Sequence, residues 1–279
     1  MKTLFIIAGP NGAGKTTASM AILPQVLNCT EFVNADNIAK GLNPLNPESD
    51  AVSIAAGKLM LILTNKLLAG EENFAIETTL ATRSHAGLVR KAQEMGWHVV
   101  LVFFWLSSPE AAIRRVAQRV NEGGHNIPEE TIRRRYQKGL ENFFHLFLPI
   151  VDDWMLYNNS DMEKMLVAFG TKDGYTCILE PRYFDAITAY VPDYNFPITT
   201  HHEMGQLHTT IHDGLNKMQH EMLKKKAERN EMVVRVDEMG HCYEQSARTA
   251  LMEIYHETVG GLDIQPHPQN PFDFGALKL

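Results

Sequence analysis

The chain has 279 residues, 44% apolar and 21% charged, which suits a globular protein with one large domain, or one ordinary domain with an appendage, and argues against disorder. A net charge of −7 argues against a broad basic surface that would grip duplex DNA or anionic lipid. Cys29, Cys177 and Cys242 stand far apart with no CxxC pair, so neither a disulfide framework nor a zinc knuckle is supported, and reduced thiols in a cytoplasm are expected.

Residues 3–8, TLFIIA, form an apolar run of strand length that leads straight into a glycine-rich loop, so the start reads as a buried strand rather than a secretory signal. A helix follows over about 15–27, then a brief strand at Phe32-Val33-Asn34. Residues 50–69 carry Val52, Ala55, Ala56, Leu59, Leu63 and Leu67 at helical spacing, and Gly70 stops that helix. Phe74 to Ile76 reads as a third strand and 84–95 as a helix ended by Gly96. HVVLVFFWL (98–106) is the strongest strand; its run Val99 to Leu106 is too short to cross a bilayer, and no membrane partner is expected. Pro109 opens a helix running to about Val120. After the loop Asn121 to Asn126, Pro128 opens another, expected to reach Phe147. Trp154 to Tyr157 is a fifth strand, and 165–180 is a hairpin turned by Asp173-Gly174. Further on, the spacing predicts a connector with Pro192 and Pro197, a helix over 203–229, a strand over Glu231 to Asp237, a helix over 244–258 and an irregular tail. Alternating strands and helices predict a three-layer α/β domain with a parallel sheet.

Residues Gly9-Pro10-Asn11-Gly12-Ala13-Gly14-Lys15-Thr16 match the phosphate-binding pattern G-x-x-x-x-G-K-[ST], with Thr17 next in the helix start. Glycines let the backbone turn its amides inward onto phosphate oxygens, and the helix presents its positive end to the same anion. Lys15 reaches the β- and γ-phosphates of ATP or GTP, and the Thr16 hydroxyl is the candidate Mg2+ ligand.

Ligands of a parallel α/β sheet sit beyond the carboxyl ends of the strands. Asp36 and Glu77 both fall there. Asp36 is the candidate general base for phosphoryl transfer to a hydroxyl; helix capping is its competing role. Glu77 is a candidate for binding acceptor hydroxyls or the metal's surroundings, against a plain salt bridge in the crevice. Thr78 and Thr79 add hydrogen-bonding groups, and Arg83 lies near enough to reach an acidic acceptor. Residues 114–138 carry Arg114, Arg115, Arg119, Arg133, Arg134, Arg135 and Lys138 on two helices joined by a glycine loop, a unit suited to close over a triphosphate and neutralise its charge. Arg119 and, of the triple, Arg134 and Arg135 are the preferred inner residues. His125 reads as a loop residue, with no second metal ligand at suitable spacing.

The segments GPNGAGKTT (9–17), NADNIA (34–39), ETTLATRS (77–84), FFWLSSPEAAIRRVAQRVNEGGHNIPEETIRRRY (103–136) and WMLYNNS (154–160) resemble, in order, the zeta-toxin family of bacterial P-loop kinases, in particular its shorter forms. The resemblance implies a nucleoside-monophosphate-kinase-like P-loop NTPase fold over 1–181 with an arginine-bearing helical lid at about 109–147. A C-terminal α+β extension, 182–279, is expected to pack on it. The resemblance also implies transfer of the γ-phosphoryl of ATP or GTP, with Mg2+, to a 3′-hydroxyl on the amino sugar of UDP-N-acetylglucosamine. Asp36 carries over as base, Glu77 and Thr79 as acceptor-binding residues, and Arg119 with Arg134 or Arg135 as lid arginines. Zeta toxins proper have an arginine two residues after that threonine, where this chain has Ala81; Arg83 stands close enough to substitute. An antitoxin protein is a partner the resemblance leaves open, and toxicity does not follow from one chain. Two other readings remain beside the nucleotide-sugar kinase: a polynucleotide end kinase, which the acidic charge disfavours, and a nucleotide-dependent switch whose C-terminal segment binds a partner.

Overall fold

A computed structural model of the chain describes residues 1–47, 49–121, 123–124, 126–161, 164–194, 204–236 and 242–259. His125, the connector beyond Tyr194, the strand end at Asp237 and the tail from Gly260 lie outside the described residues.

Five strands pair in parallel: β1 (Thr3–Ala8), β2 (Glu31–Asn34), β3 (Phe74–Thr78), β4 (His98–Trp105) and β5 (Asp153–Asn158). Their continuous apolar runs follow from burial on both faces: every residue of β1 is buried, and only His98 of β4 is not. Helices α1 (Lys15–Gln25), α2 (Ala35–Leu42), α3 (Asp50–Leu68), α4 (Ser84–Glu94), α5 (Pro109–Asn121) and α6 (Glu129–Asn142) make the connections. The architecture is three-layer α/β. Strand order is β2-β3-β1-β4-β5-β6-β7, with β6 (Met165–Thr171) and β7 (Thr176–Ile178) antiparallel. The hairpin expected at 165–180 therefore extends the main sheet, because the short stretch after β5 permits an antiparallel return but no crossover helix. From β1 the chain moves to the β2-β3 side and only later returns to β4 on the other, which opens a crevice above β1.

The helix expected to reach Phe147 does so, α-helical to Asn142 and then a π-turn over Phe143–Phe147. This turn buries three phenylalanines, with the Phe143 ring 4.5 Å from Phe103. The helix expected over 244–258 is instead β9 (Cys242–Ser246) followed by α9 (Ala247–Tyr255). Here β9 pairs with β8 (Met232–Val236), and Ser246 caps α9 by accepting a hydrogen bond from the Arg248 amide. The boundary expected at 181/182 falls instead between Met218 and Gln219. The reason is that α7 (Pro181–Thr188) and the first part of α8 (Gln206–Glu228) bury Phe184, Ile187, Ile211 and Leu215 in the core of the first unit.

Helix α3 also differs in phase. Its buried stripe is Ala56, Met60, Thr64 and Leu68, four residues apart, while Ala55 is exposed. Among the described residues α3 is the one helix long and apolar enough to cross a membrane by length and composition, with a mean hydropathy of 1.5. It packs against α2 and β2.

Candidate nucleotide and phosphoryl-transfer site

The phosphate loop runs from the end of β1 to the first turn of α1. Gly9 has φ 136°, and a Cβ there would lie 2.1 Å from the Phe104 carbonyl oxygen of β4, so only glycine fits. Gly14 caps α1 at φ 72°, in the left-handed region. Replacing Gly9 by Ala should destabilise the fold by about 3 kcal/mol or more, a fall of roughly 6–12 °C in Tm, because the clash is with strand backbone that cannot swing away. A calorimetric scan of the purified variant checks this.

Lys15 is buried; its ammonium donates to the Pro10 carbonyl at 2.9 Å and lies 4.0 Å from Glu77 Oε1. Burial pushes its pKa down. The negative charges of Glu77 and Asp36 oppose that shift, whereas Arg119 and Arg135 add to it. Five charged groups from the loop, two strand ends and both arginine helices therefore share one field. The Thr16 hydroxyl lies 3.0 and 2.8 Å from the two Glu77 carboxylate oxygens. Strand register explains the meeting: Asn34 of β2 is level with Glu77 of β3, which is level with Ile7 of β1. A hydroxyl and a carboxylate this close are a hard oxygen pair of the kind Mg2+ takes with substrate phosphates. Asn11, also buried, has a side-chain oxygen with no hydrogen-bond partner among the described residues, an acceptor left open inside the loop.

Asp36 sits in the first turn of α2, exposed. The competing role of helix cap belongs to Asn34, whose side-chain oxygen accepts from the Asp36 amide at 2.8 Å and the Asn37 amide at 3.3 Å. The Asp36 carboxylate makes no hydrogen bond among the described residues.

Helices α5 and α6 sort the arginines. Arg133 forms an exposed ion pair with Glu110 and so ties the two helices together. Arg134 is exposed. Arg135 is partly buried; burial lowers its pKa and the Asp36 charge opposes that, which puts this guanidinium within the field of the acid. Arg119 sits in the last turn of α5, with the Gly124 amide donating to its carbonyl at 2.7 Å. Arg83 is exposed at the cap of α4. If charge at the site sets the rate, Arg135→Ala should lower kcat about 10²–10³-fold. Arg133→Ala, which touches only an exposed pair, should change it by about twofold or less. Steady-state kinetics of both variants separates the two.

Thr79 lies against α6: a Cβ on Gly139 would stand 2.6 Å from the Thr79 carbonyl oxygen. Asn142 donates its amide to the Leu80 carbonyl at 2.6 Å, and buried Leu80 is held at φ 54°, a strained value for leucine. This part of the arginine unit is fixed to the loop after β3, and Tyr136 fixes it further by donating to the Leu106 carbonyl at 2.6 Å.

Two residues brace the loop in a role that the sequence did not foretell. Asn159, just past β5, donates to the Ala13 carbonyl of the phosphate loop at 2.7 Å. Arg115 donates to the Ser160 carbonyl at 2.9 Å, and its Cβ would be 3.0 Å from a Cβ on Gly12. Together they brace the back of the loop.

With this geometry in place, comparison with known proteins gives a consistent picture. A protein-family profile described as an AAA domain matches residues 4–142. An uncharacterized protein of Haemophilus influenzae is 30% identical over 128 residues, which span 46% of this chain and 88% of that protein. The chain belongs to that protein's family. In three dimensions it is similar to a chain of the AvrRxo1-ORF1:-ORF2 complex with ATP, with a TM-score of 0.56 at 17% identity over 78% of this chain and 76% of that one. It is also similar to a chain of the PezAT chromosomal toxin-antitoxin system of Streptococcus pneumoniae, with a TM-score of 0.51 at 19% identity over 80% and 88%. These likenesses show a shared fold, the three-layer α/β fold of P-loop kinases.

Proposed function

We propose that the protein transfers the γ-phosphoryl group of ATP or GTP to a hydroxyl of a nucleotide-sugar such as UDP-N-acetylglucosamine, with Asp36 as general base. The observation that carries this reading is the capping of α2 by Asn34, which leaves the Asp36 carboxylate uncommitted within the field of Lys15 and Arg135. A base in that setting is ready to take the proton of an acceptor hydroxyl. Lys15 and the backbone amides from Asn11 through Thr17 hold the β- and γ-phosphates, and Arg119 and Arg135 neutralise charge on the moving group. Thr16, with Glu77 beside it, would hold Mg2+, which when bound shields the phosphate oxygens. Glu77 and Thr79 border the acceptor side, with Arg83 in reserve where zeta toxins carry the arginine that Ala81 replaces.

Scattered cysteines, two of them unpaired among the described residues, fit a cytoplasmic setting. An antitoxin-like protein is the partner we expect, since PezAT is a toxin-antitoxin system.

The test is phosphorus NMR of the protein with ATP, Mg2+ and UDP-N-acetylglucosamine. The reading predicts a new phosphomonoester resonance coupled to a sugar proton. Loss of the ATP γ-signal with only inorganic phosphate appearing would refute the acceptor.

A further inference from the structure

Locally unfavourable features meet where helix α6 touches the loop after β3. Leu80, wholly buried, holds a left-handed φ of 54°, which leucine keeps only where its surroundings impose it. Gly139 stands in the interior of α6, where glycine weakens a helix. Asn142 ends the α-helical part, and the π-turn Phe143–Phe147 follows at once. Folded chains carry such departures from local preference mainly where function requires them.

The contacts say what each feature does. Side chains take both backbone groups of Leu80: Thr78 Oγ1 accepts from its amide at 3.1 Å, and Asn142 Nδ2 donates to its carbonyl at 2.6 Å. Gly139, with no Cβ, lets the Thr79 carbonyl come against the helix, where a methyl group would stand 2.6 Å from that oxygen. Helix α6 is the fixed partner of the two. Tyr136 ties it to the Leu106 carbonyl, Gln137 donates to the Tyr190 carbonyl at 3.1 Å, and the three phenylalanines of the π-turn are buried. Arg135, Gly139 and Asn142 stand at i, i+4 and i+7, on one side of the helix. The guanidinium in the field of Asp36 and the residues that grip the loop therefore span about 10 Å of one rigid face.

We propose that Gly139 and Asn142 are positioning residues: they hold the Thr78–Leu80 loop in its strained shape and so set Thr79 against the acceptor, at a spacing from Arg135 fixed by the helix between them. Neither touches substrate; both act through Thr79. The acceptor side of this role rests on the proposed phosphoryl transfer, whereas the restraint of the loop does not. Without the Asn142 donor the Leu80 carbonyl is released, and the backbone relaxes toward the extended or right-handed region that leucine prefers. Thr79 then moves relative to Arg135 and Asp36. The phosphate loop takes no part in these contacts, so nucleotide binding is spared.

The test uses Asn142→Ala and Gly139→Ala in the full chain and reads two independent quantities. Hydrogen exchange at the Leu80 amide should quicken about tenfold or more in both variants, while the Ala75 and Ile76 amides of β3 stay within about twofold. This readout needs neither acceptor nor turnover. With ATP, Mg2+ and UDP-N-acetylglucosamine, kcat/KM for the sugar nucleotide should fall about 10–100-fold, and KM for ATP should stay within about twofold. A glycine of no positioning value predicts the opposite for Gly139→Ala: a higher unfolding temperature from the better helix former and unchanged kinetics. That result would overturn the proposal. So would Leu80 exchange unchanged in both variants, faster exchange with unchanged acceptor kinetics, or a KM for ATP that rises as far as the acceptor's. A parent that moves no phosphoryl group to UDP-N-acetylglucosamine would refute the choice of acceptor and leave the restraint to be decided by the exchange rates alone.

Discussion

Replacing Asp36 by Asn should lower kcat by about 10²–10⁴-fold, roughly 3–5 kcal/mol of barrier, while the dissociation constant for ATP stays within about twofold. The substitution keeps shape and removes only the ability to accept a proton. Because Asn34 already satisfies the amides of the first turn of α2, helix stability does not depend on the Asp36 carboxylate. The effect should therefore fall on kcat with no change in unfolding temperature beyond about 2 °C. Nucleotide binding by calorimetry and turnover by a coupled assay read the two halves separately. Equal losses in binding and turnover would mean that Asp36 serves the nucleotide rather than the acceptor. Unchanged turnover would remove it from the chemistry.

Lys15→Met should be the more damaging change to nucleotide binding. Methionine fills most of the buried volume, so the loss is one of charge and hydrogen bonding rather than of packing. Two consequences follow. The phosphates lose their only buried ammonium among the described residues of the loop, which should cost about 10³-fold or more in kcat/KM, about 4 kcal/mol. Glu77 also loses the cation 4.0 Å from it and keeps the Thr16 hydroxyl as its nearest partner, so the carboxylate is left less well compensated. ATP protection against thermal unfolding, expected in the parent, should vanish in the variant. Undiminished protection would show that the triphosphate is held elsewhere.

The parts of the site that were readable from sequence are those where local chemistry and period agree. The run TLFIIA, the glycine spacing and the lysine define β1, the loop and α1 with no tertiary information, because each step has one physical solution. Asp36 was ambiguous because Asn and Asp are both strong helix caps two residues apart. The choice is made by strand pairing, which holds Asn34 level with Glu77 and leaves its side chain free to turn back on α2. The arginine triple was ambiguous only while the phase of α6 was unknown. Its buried stripe is Ile132, Tyr136, Gly139 and Leu140, and Arg135, three after Ile132 and four before Gly139, shares that side. That signal was present in the sequence. So was the one for Arg115, which stands four after Ala111 and three after Ala112, both buried. The Asn159 bond to Ala13 was not readable, since it joins positions 146 apart through the sheet. Likewise β9 reads as helix by composition, and only its ladder with β8 decides otherwise.

The central claim is acceptor-dependent phosphoryl transfer governed by Asp36, and the most direct measurement follows the label from γ-labelled ATP. Parent and Asp36→Asn proteins are incubated with Mg2+ and, in parallel, UDP-N-acetylglucosamine, a 5′-hydroxyl oligonucleotide, or no acceptor. The account predicts labelled nucleotide-sugar with the parent, none with the variant, and none on the oligonucleotide. Label on the oligonucleotide, or ATP bound by the parent with no label moving to any acceptor, would contradict it.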